Sequence, residues 1–152
     1  MAQEKDIYRI YELLGQVNYI HHIIRPDIFN IGCKYTIEQL KELIIDDSGK
    51  IFVAVDDNDY LAGYCFTKFS IIYDDNIRTD IKTLYIDDLC VDKEIRGKHV
   101  GQELYQYVVK YAKDNRFYNV TLHVWSGNDN AENFYEAMGL KPQYVCLEEI
   151  IK

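Results

Sequence analysis

Apolar positions change their period along the chain, and each change marks a new element. Ile7, Ile10, Leu13, Leu14 and Val17 recur at the spacing of one helix face, so a first helix starts almost at the N-terminus. It ends before Arg25-Pro26-Asp27, because a residue preceding proline resists the helical region. Thr36 with Gln39 has the form of a capping box and opens a second helix carrying Leu40, Leu43 and Ile44. From Ile51 the pattern is that of strands. An apolar run at 51–55, an Asp/Asn turn at 56–59 and an aromatic and β-branched run at 61–73 predict an antiparallel hairpin. A further strand is predicted at 83–91. Val100, Leu104, Val108 and Ala112 then fall at intervals of four and mark the buried face of a helix over 99–115. A strand at 120–125 follows, and a helix at 131–138 stopped by Gly139 and Pro142. A closing strand is expected at 145–151.

This order, helices, hairpin, then strand-helix-strand-helix-strand, predicts an α/β (α+β) fold with a central mixed sheet covered by helices. The 152 residues fit one domain, 1–152, and 48% hydrophobic with 28% charged residues is enough apolar material for a core. No apolar run approaches the roughly 18 residues of a spanning helix, and no basic-then-apolar leader opens the chain. A cytoplasmic protein without a membrane partner is expected. The net charge of −8 is the wrong sign for counterion-release binding to nucleic acid, and it favours cationic partners. Cys33, Cys65, Cys90 and Cys146 are widely spaced, so free thiols are expected rather than a metal site or a disulfide framework. His21 and His22 face different sides of their helix, with no third ligand in view, and suit solvent or a pocket lining. Tyrosines such as Tyr105, Tyr107 and Tyr111 suit a core edge or an interface, and a homodimer is carried as an expectation.

One junction carries a chemical signal. The strand at 83–91 leads through Arg96-Gly97-Lys98-His99-Val100-Gly101 directly into the long helix. A glycine-bearing turn at a helix start exposes unpaired N–H groups beside the positive end of the helix dipole, and it can hold a phosphate or pyrophosphate. Neither a Walker loop nor a dinucleotide-binding glycine fingerprint is present.

Arg96-Gly97-Lys98-His99-Val100-Gly101 resembles the acetyl-CoA loop of the GCN5-related N-acetyltransferases (GNAT). Asn128-Asp129-Asn130-Ala131-Glu132-Asn133-Phe134-Tyr135, continued to Gly139-Leu140, resembles that family's second motif. The clear resemblance covers 84–140, and the order of elements extends it over nearly the whole chain. It implies acetyl-CoA in an opening between two splayed parallel strands, with no metal, and direct acetyl transfer to the primary amine of a small acceptor. Tyr135 matches the tyrosine that protonates the departing thiolate, although Phe134-Tyr135 also suits simple packing. Asn128 matches a residue near the pantetheine arm, and Asn is equally a good helix cap. Leu89 and Val91 would pair with that arm through their main chains. Arg96, Gly97, Lys98, His99, Val100 and Gly101 would hold the pyrophosphate.

The segment Ile86-Asp87-Asp88-Leu89 resembles the strand of polyamine acetyltransferases in which a carboxylate pair precedes a bulge. Alternation allows only one of the pair to reach the amine unless a bulge intervenes; register with that strand implies Asp87 as general base through water, with a surface or structural carboxylate as the alternative. Acidic residues Asp74, Asp75, Asp80, Glu148 and Glu149 favour a cationic acceptor. Two departures from the family pattern stand out. His99 occupies a slot that usually holds Gly or Ala, which is tolerable where its φ stays negative. The N-terminal edge strand is expected to be short or absent. The alternatives are a protein N-terminal acetyltransferase of the ribosomal-protein type and a CoA-binding regulatory domain without turnover.

Overall fold

The structure is a computed structural model that describes residues 1–151. A single 3-10 turn, Glu4–Asp6, runs into α1 (Ile7–Ile24), followed by α2 (Ile37–Ile45), β1 (Gly49–Val55), β2 (Leu61–Ile72) and β3 (Ile81–Val91). A second 3-10 turn, Lys93–Ile95, precedes α3 (Val100–Asp114), β4 (Asn119–Leu122) and α4 (Asp129–Ala137). The sheet order is β1-β2-β3-β4; the first two pairings are antiparallel, and β3 with β4 is parallel. Among the described residues no helix is long and apolar enough to cross a membrane.

Strand alternation divides the core in two. Ile51, Tyr64, Phe66 and Cys90 face α1 and α2 and meet Ile7, Ile10, Leu13, Leu14 and Leu40. Phe52, Cys65, Leu84 and Ile86 face the other way and meet Leu104, Tyr105, Val108 and Ala112 of α3, with Phe134 and Tyr135 of α4 packed alongside. The apolar positions read from the sequence are thus the ones that seat α1 and α3 on opposite faces of the sheet. The capping box of α2 forms: Thr36 Oγ1 accepts from the Gln39 N–H at 3.2 Å, and the Gln39 side chain accepts in turn from the Thr36 N–H at 2.9 Å.

The two ends depart from an ordinary closed sheet. No N-terminal strand forms among the described residues, and one bond, Ala2 N–H to Ile51 carbonyl at 2.8 Å, stands in its place beside β1. The strand expected at 145–151 is absent. The segment is exposed and lies in no ladder, because the chain beyond Leu140 does not pair along the free edge of β4. The strand expected at 120–125 is also shorter, since its pairing with β3 stops at Leu122.

Candidate active site

That early stop creates the site. β4 pairs with β3 only from Thr83 opposite Asn119 to Ile86 opposite Leu122, whereas β3 continues to Val91. The two parallel strands therefore part at Asp87. At the same point β3 is bulged: Phe66 opposes Asp88 and Thr67 opposes Ile86, which leaves Asp87 without a partner on β2. The extra residue breaks alternation, so both carboxylates reach partners on the α1/α2 face. Tyr35 donates to Asp87 at 2.9 Å, and Tyr64 donates to Asp88 at 2.9 Å.

The two carboxylates live in different environments. Asp87 is held by Lys34 at 2.6 Å and by Lys68 at 3.0 Å. Burial alone would raise its pKa, but the hydrogen bonds from the two lysines and Tyr35 outweigh burial and hold it below the usual carboxylate range. No ammonium among the described residues bonds to Asp88, and burial pushes its pKa up to about 6 against the opposing hydrogen bond from Tyr64. Of the two, Asp88 has the basicity of a group that can accept a proton near neutrality. The sequence favours Asp87 as the base; the register shift beside Asp88 and the lysines that bind Asp87 come from β2 and the α1–α2 connection, which no local pattern displays.

Tyr135 lies on α4, on the α3 side of the sheet. Its ring packs edge-on to Tyr105 at 6.2 Å in the α3/α4 core, and its hydroxyl makes no hydrogen bond among the described residues. Burial, with Cys65 and Asp88 nearby, raises its pKa well above the ordinary phenol range, so it stays protonated. Cys90 faces the other core, donates to the Leu13 carbonyl at 3.6 Å, and has its thiol pushed up to about 12 by burial. It is a core residue and not an acyl acceptor.

Beyond Val91 the chain makes the turn that the sequence singled out. Asp92 is buried and ion-paired with Arg9, and it accepts from Tyr60 at 2.6 Å and Gln16 at 3.2 Å. Arg96 donates back to the Val91 carbonyl at 3.2 Å, and Gly97 has φ +84°. His99 precedes α3 with φ +63°, in the left-handed region, contrary to the negative φ expected of a side chain there. No side chain caps α3 either, whereas α2 is capped by Thr36 and α4 by Asn128. The first N–H groups of α3, on Val100, Gly101 and Gln102, thus stand at the positive end of the helix dipole without a protein acceptor among the described residues, which fits a pyrophosphate. Asn128 Oδ1 accepts from the Ala131 N–H at 3.3 Å, so the structure uses it as a cap. Leu89 and Val91 remain on the stretch of β3 that faces the parted strands.

The acceptor side has further residues that carried no motif. His123, directly after β4, bridges the hydroxyls of Tyr85 and Tyr144. His22 meets the Phe29 carbonyl at 2.6 Å, and His21 packs on the Phe29 ring. Among the described residues no cluster of His, Cys, Asp or Glu is arranged to hold a metal ion.

A parted pair of parallel strands and an uncapped helix behind a glycine turn, with a buried carboxylate at the bulge and a protonated phenol on α4, are the features of an acetyltransferase fold. The chain belongs to the acetyltransferase (GNAT) family, whose model matches residues 14–140. It is 21% identical over 123 residues to a putative ribosomal protein bS18-alanine N-acetyltransferase of Bacillus subtilis (strain 168), covering 81% of this chain and 75% of that one. Crystal structures of two mutants of the BH1408 protein from Bacillus halodurans, a tetramutant and a single-substitution mutant, superpose with TM-scores of 0.94 and 0.95. Each is 25% identical and covers 99% of this chain and 97% of the other. An aminoglycoside acetyltransferase from an uncultured soil metagenomic sample shares the fold at TM-score 0.68 and 20% identity, over 99% of this chain and 93% of its own.

Proposed function

We propose that the protein is an acetyl-CoA-dependent N-acetyltransferase that acts on the primary amine of a small acceptor. The observation that carries this reading is the opening where β3 runs on past the end of its pairing with β4, with Asp88 at the β3 bulge and the uncapped start of α3 just beyond the strand. Bound acetyl-CoA supplies an activated acyl group, and the chain's own residues do the rest. The uncapped amides of α3 hold the pyrophosphate, and the unpaired edge of β3 at Leu89 and Val91 takes the pantetheine arm. The acceptor ammonium docks against Asp88 and loses its proton to it, directly or through water. Tyr135 gives a proton to the sulfur as charge builds there.

Of the five acidic residues that suggested a cationic acceptor, two are ion-paired: Asp75 is bound by Arg78 at 2.8 Å and Glu148 by Arg25 at 2.9 Å. At the strand opening itself Asp87 is bound by its two lysines. Asp88 is then the group at the opening that selects for a cation in this reading, and the general field of a −8 chain adds steering. A second reading, acetylation of a protein N-terminal alanine, is favoured by the relative from Bacillus subtilis. Release of CoA with a panel of polyamines, aminoglycosides, amino acids and short peptides beginning with alanine tests both. Turnover confined to the peptides selects the second reading, and no turnover with any amine overturns the enzyme assignment.

A further inference from the structure

The bulge leaves Asp87 without a partner on β2, and three side chains converge on its carboxylate. Lys34 and Tyr35 share Oδ2 at 2.6 and 2.9 Å, and Lys68 holds Oδ1 at 3.0 Å. Two ammonium groups thus answer one carboxylate, and the cluster carries one positive charge in excess. In a chain of net charge −8 this is a local inversion of sign. One lysine is enough to neutralise Asp87, so the second is surplus to that pairing. Neither ammonium bonds a second acceptor among the described residues, and the two side chains are 41% and 52% exposed. Each therefore keeps N–H donors for a solute.

The surroundings limit what that solute can be. A cavity of about 60 Å³, lined by Asp87, Lys68, Tyr35, Phe66 and Thr67, adjoins the cluster, and it has room for more than one water-sized group. The α1–α2 connection is fastened to both diverging strands: to β3 through Lys34 and Tyr35 on Asp87, and just past β4 through Trp125. There the Phe29 ring meets the Trp125 ring edge-on at 5.3 Å, and the Arg25 guanidinium lies over it at 5.7 Å. A connection held at both sides of the opening favours a small acceptor over an extended peptide. The surplus charge sits on Asp87, and the proton-accepting carboxyl is the next residue, Asp88. Adjacent Cα atoms are only about 3.8 Å apart.

We infer that Lys34 and Lys68 bind a carboxylate of the acceptor, so that the amine acetylated belongs to a free amino acid. The inference rests on the transferase reading above and adds the second group that the acceptor must carry. The amine docks toward Asp88, and the carboxylate, a few bonds away, takes the free donors of the two ammonium groups. Charge-assisted hydrogen bonds to a carboxylate are the strong kind, and their loss with a neutral analogue leaves the lysines with Asp87 alone. Asp87 holds the two lysines apart and in place, which makes it a positioning residue.

The test is calorimetric titration of the full chain with CoA present, which fills the donor site without turnover. The probes are glycine, β-alanine, leucine and phenylalanine, each beside its own carboxamide. At least one acid should bind, and at least about tenfold more tightly than its amide. Amidation also lowers the pKa of the amine, so the change of that ratio between proteins is the sharper reading. In the Lys34→Gln, Lys68→Gln double variant the ratio should fall below about threefold, and Lys68→Arg should keep it, because the charge is retained. No acid bound, acid and amide bound alike by the wild type, or a preference untouched in the double variant would overturn the carboxylate site. Should the double variant fail to fold, the wild-type ratio and the Lys68→Gln single variant decide. CoA release from acetyl-CoA is read separately. A protein that prefers the acids and acetylates none of them keeps the site and loses the transferase reading, whereas one that acetylates only amides or peptides keeps the transferase and loses this inference.

Discussion

In the proposed reaction Asp88 and Tyr135 are opposite halves of one proton balance, and their environments set the direction of transfer. The carboxyl at about 6 is ready to accept near neutrality, and the buried phenol is kept as a donor. Tyr135→Phe keeps the ring against Tyr105 and removes only the O–H. It should lower kcat by about ten- to a thousandfold, roughly 1.4 to 4 kcal/mol, with CoA affinity unchanged, as kinetics and calorimetric titration would read. A Phe variant with full activity would leave Tyr135 with packing alone. Asp88→Asn should remove an acid limb near pH 6 from the kcat/KM profile, whereas Asp87→Asn should leave that limb in place and act on acceptor KM by freeing Lys34 and Lys68. The reverse outcome would return the base to Asp87. Stability follows the same sign. Asp88 is raised in the fold, so it stabilises most when protonated and costs stability as pH climbs from about 4 to about 6, on the order of 3 kcal/mol. Asp88→Asn should flatten that part of a denaturation series, which urea melts at pH 4.5 and 7 would show.

At the scale of elements, the β3 bulge and the α3 N-terminus convert ordinary secondary structure into a site. Their legibility differs for a physical reason. Helix faces, the Thr36 capping box and the turn before α3 are written in residues a few positions apart, and the sequence shows them directly. The bulge depends on which residue of β2 meets which residue of β3, a pairing between distant positions, and nothing local in Asp87-Asp88 reveals it. The early parting of β4 is hidden in the same way. His99 shows what a local pattern can miss even at a recognised turn. Its slot needs a left-handed residue, which costs a side chain about 1 kcal/mol, and its surface exposure offers no packing in return. His99→Gly should therefore raise stability by about 1 kcal/mol, or roughly 2–4 °C in Tm, while CoA affinity changes by less than about tenfold. Gly101→Asp should abolish CoA binding. An added Cβ would touch the Val91 side chain at only 3.4 Å, an ordinary contact, so the new carboxylate at the helix start is what would repel the pyrophosphate. Thermal melts with and without CoA would check both variants.

For the molecule as a whole, the sheet with its two cores leaves the turn before α3 hanging from the end of β3, and Asp92 is what fixes it there. One carboxylate, with its side chain only 4% exposed, ties together α1 through Arg9 and Gln16, the β1–β2 hairpin through Tyr60, and the start of the 3-10 turn through the Glu94 N–H. The Asp92 N–H is also paired, with the Ala62 carbonyl at 2.9 Å. No local pattern hints at this joint, because its members lie at positions 9, 16, 60 and 92, and each alone reads as a surface polar residue. The hydrogen bond from Tyr60, then those from Gln16 and Glu94 and the charge of Arg9, depress the Asp92 pKa far below the usual range against the cost of burial. A depressed carboxylate contributes its stability in full above about pH 4 and loses it as pH falls further. Asp92→Ala removes the buried acceptor of Tyr60, Gln16 and the Glu94 N–H, while Arg9 keeps its bond to Glu12, and it should cost about 1–3 kcal/mol at neutral pH. The variant should also lose the part of the acid-denaturation slope that Asp92 supplies below about pH 4. Because the turn is anchored by the same side chain, the loss should reach CoA as well. A variant kept folded at low temperature should bind CoA more weakly, although no residue in contact with the pyrophosphate has changed. Urea melts across pH, with CoA titration in the cold, would measure both effects. Wild-type CoA affinity in a destabilised Asp92→Ala protein would show that the turn holds its shape without this joint.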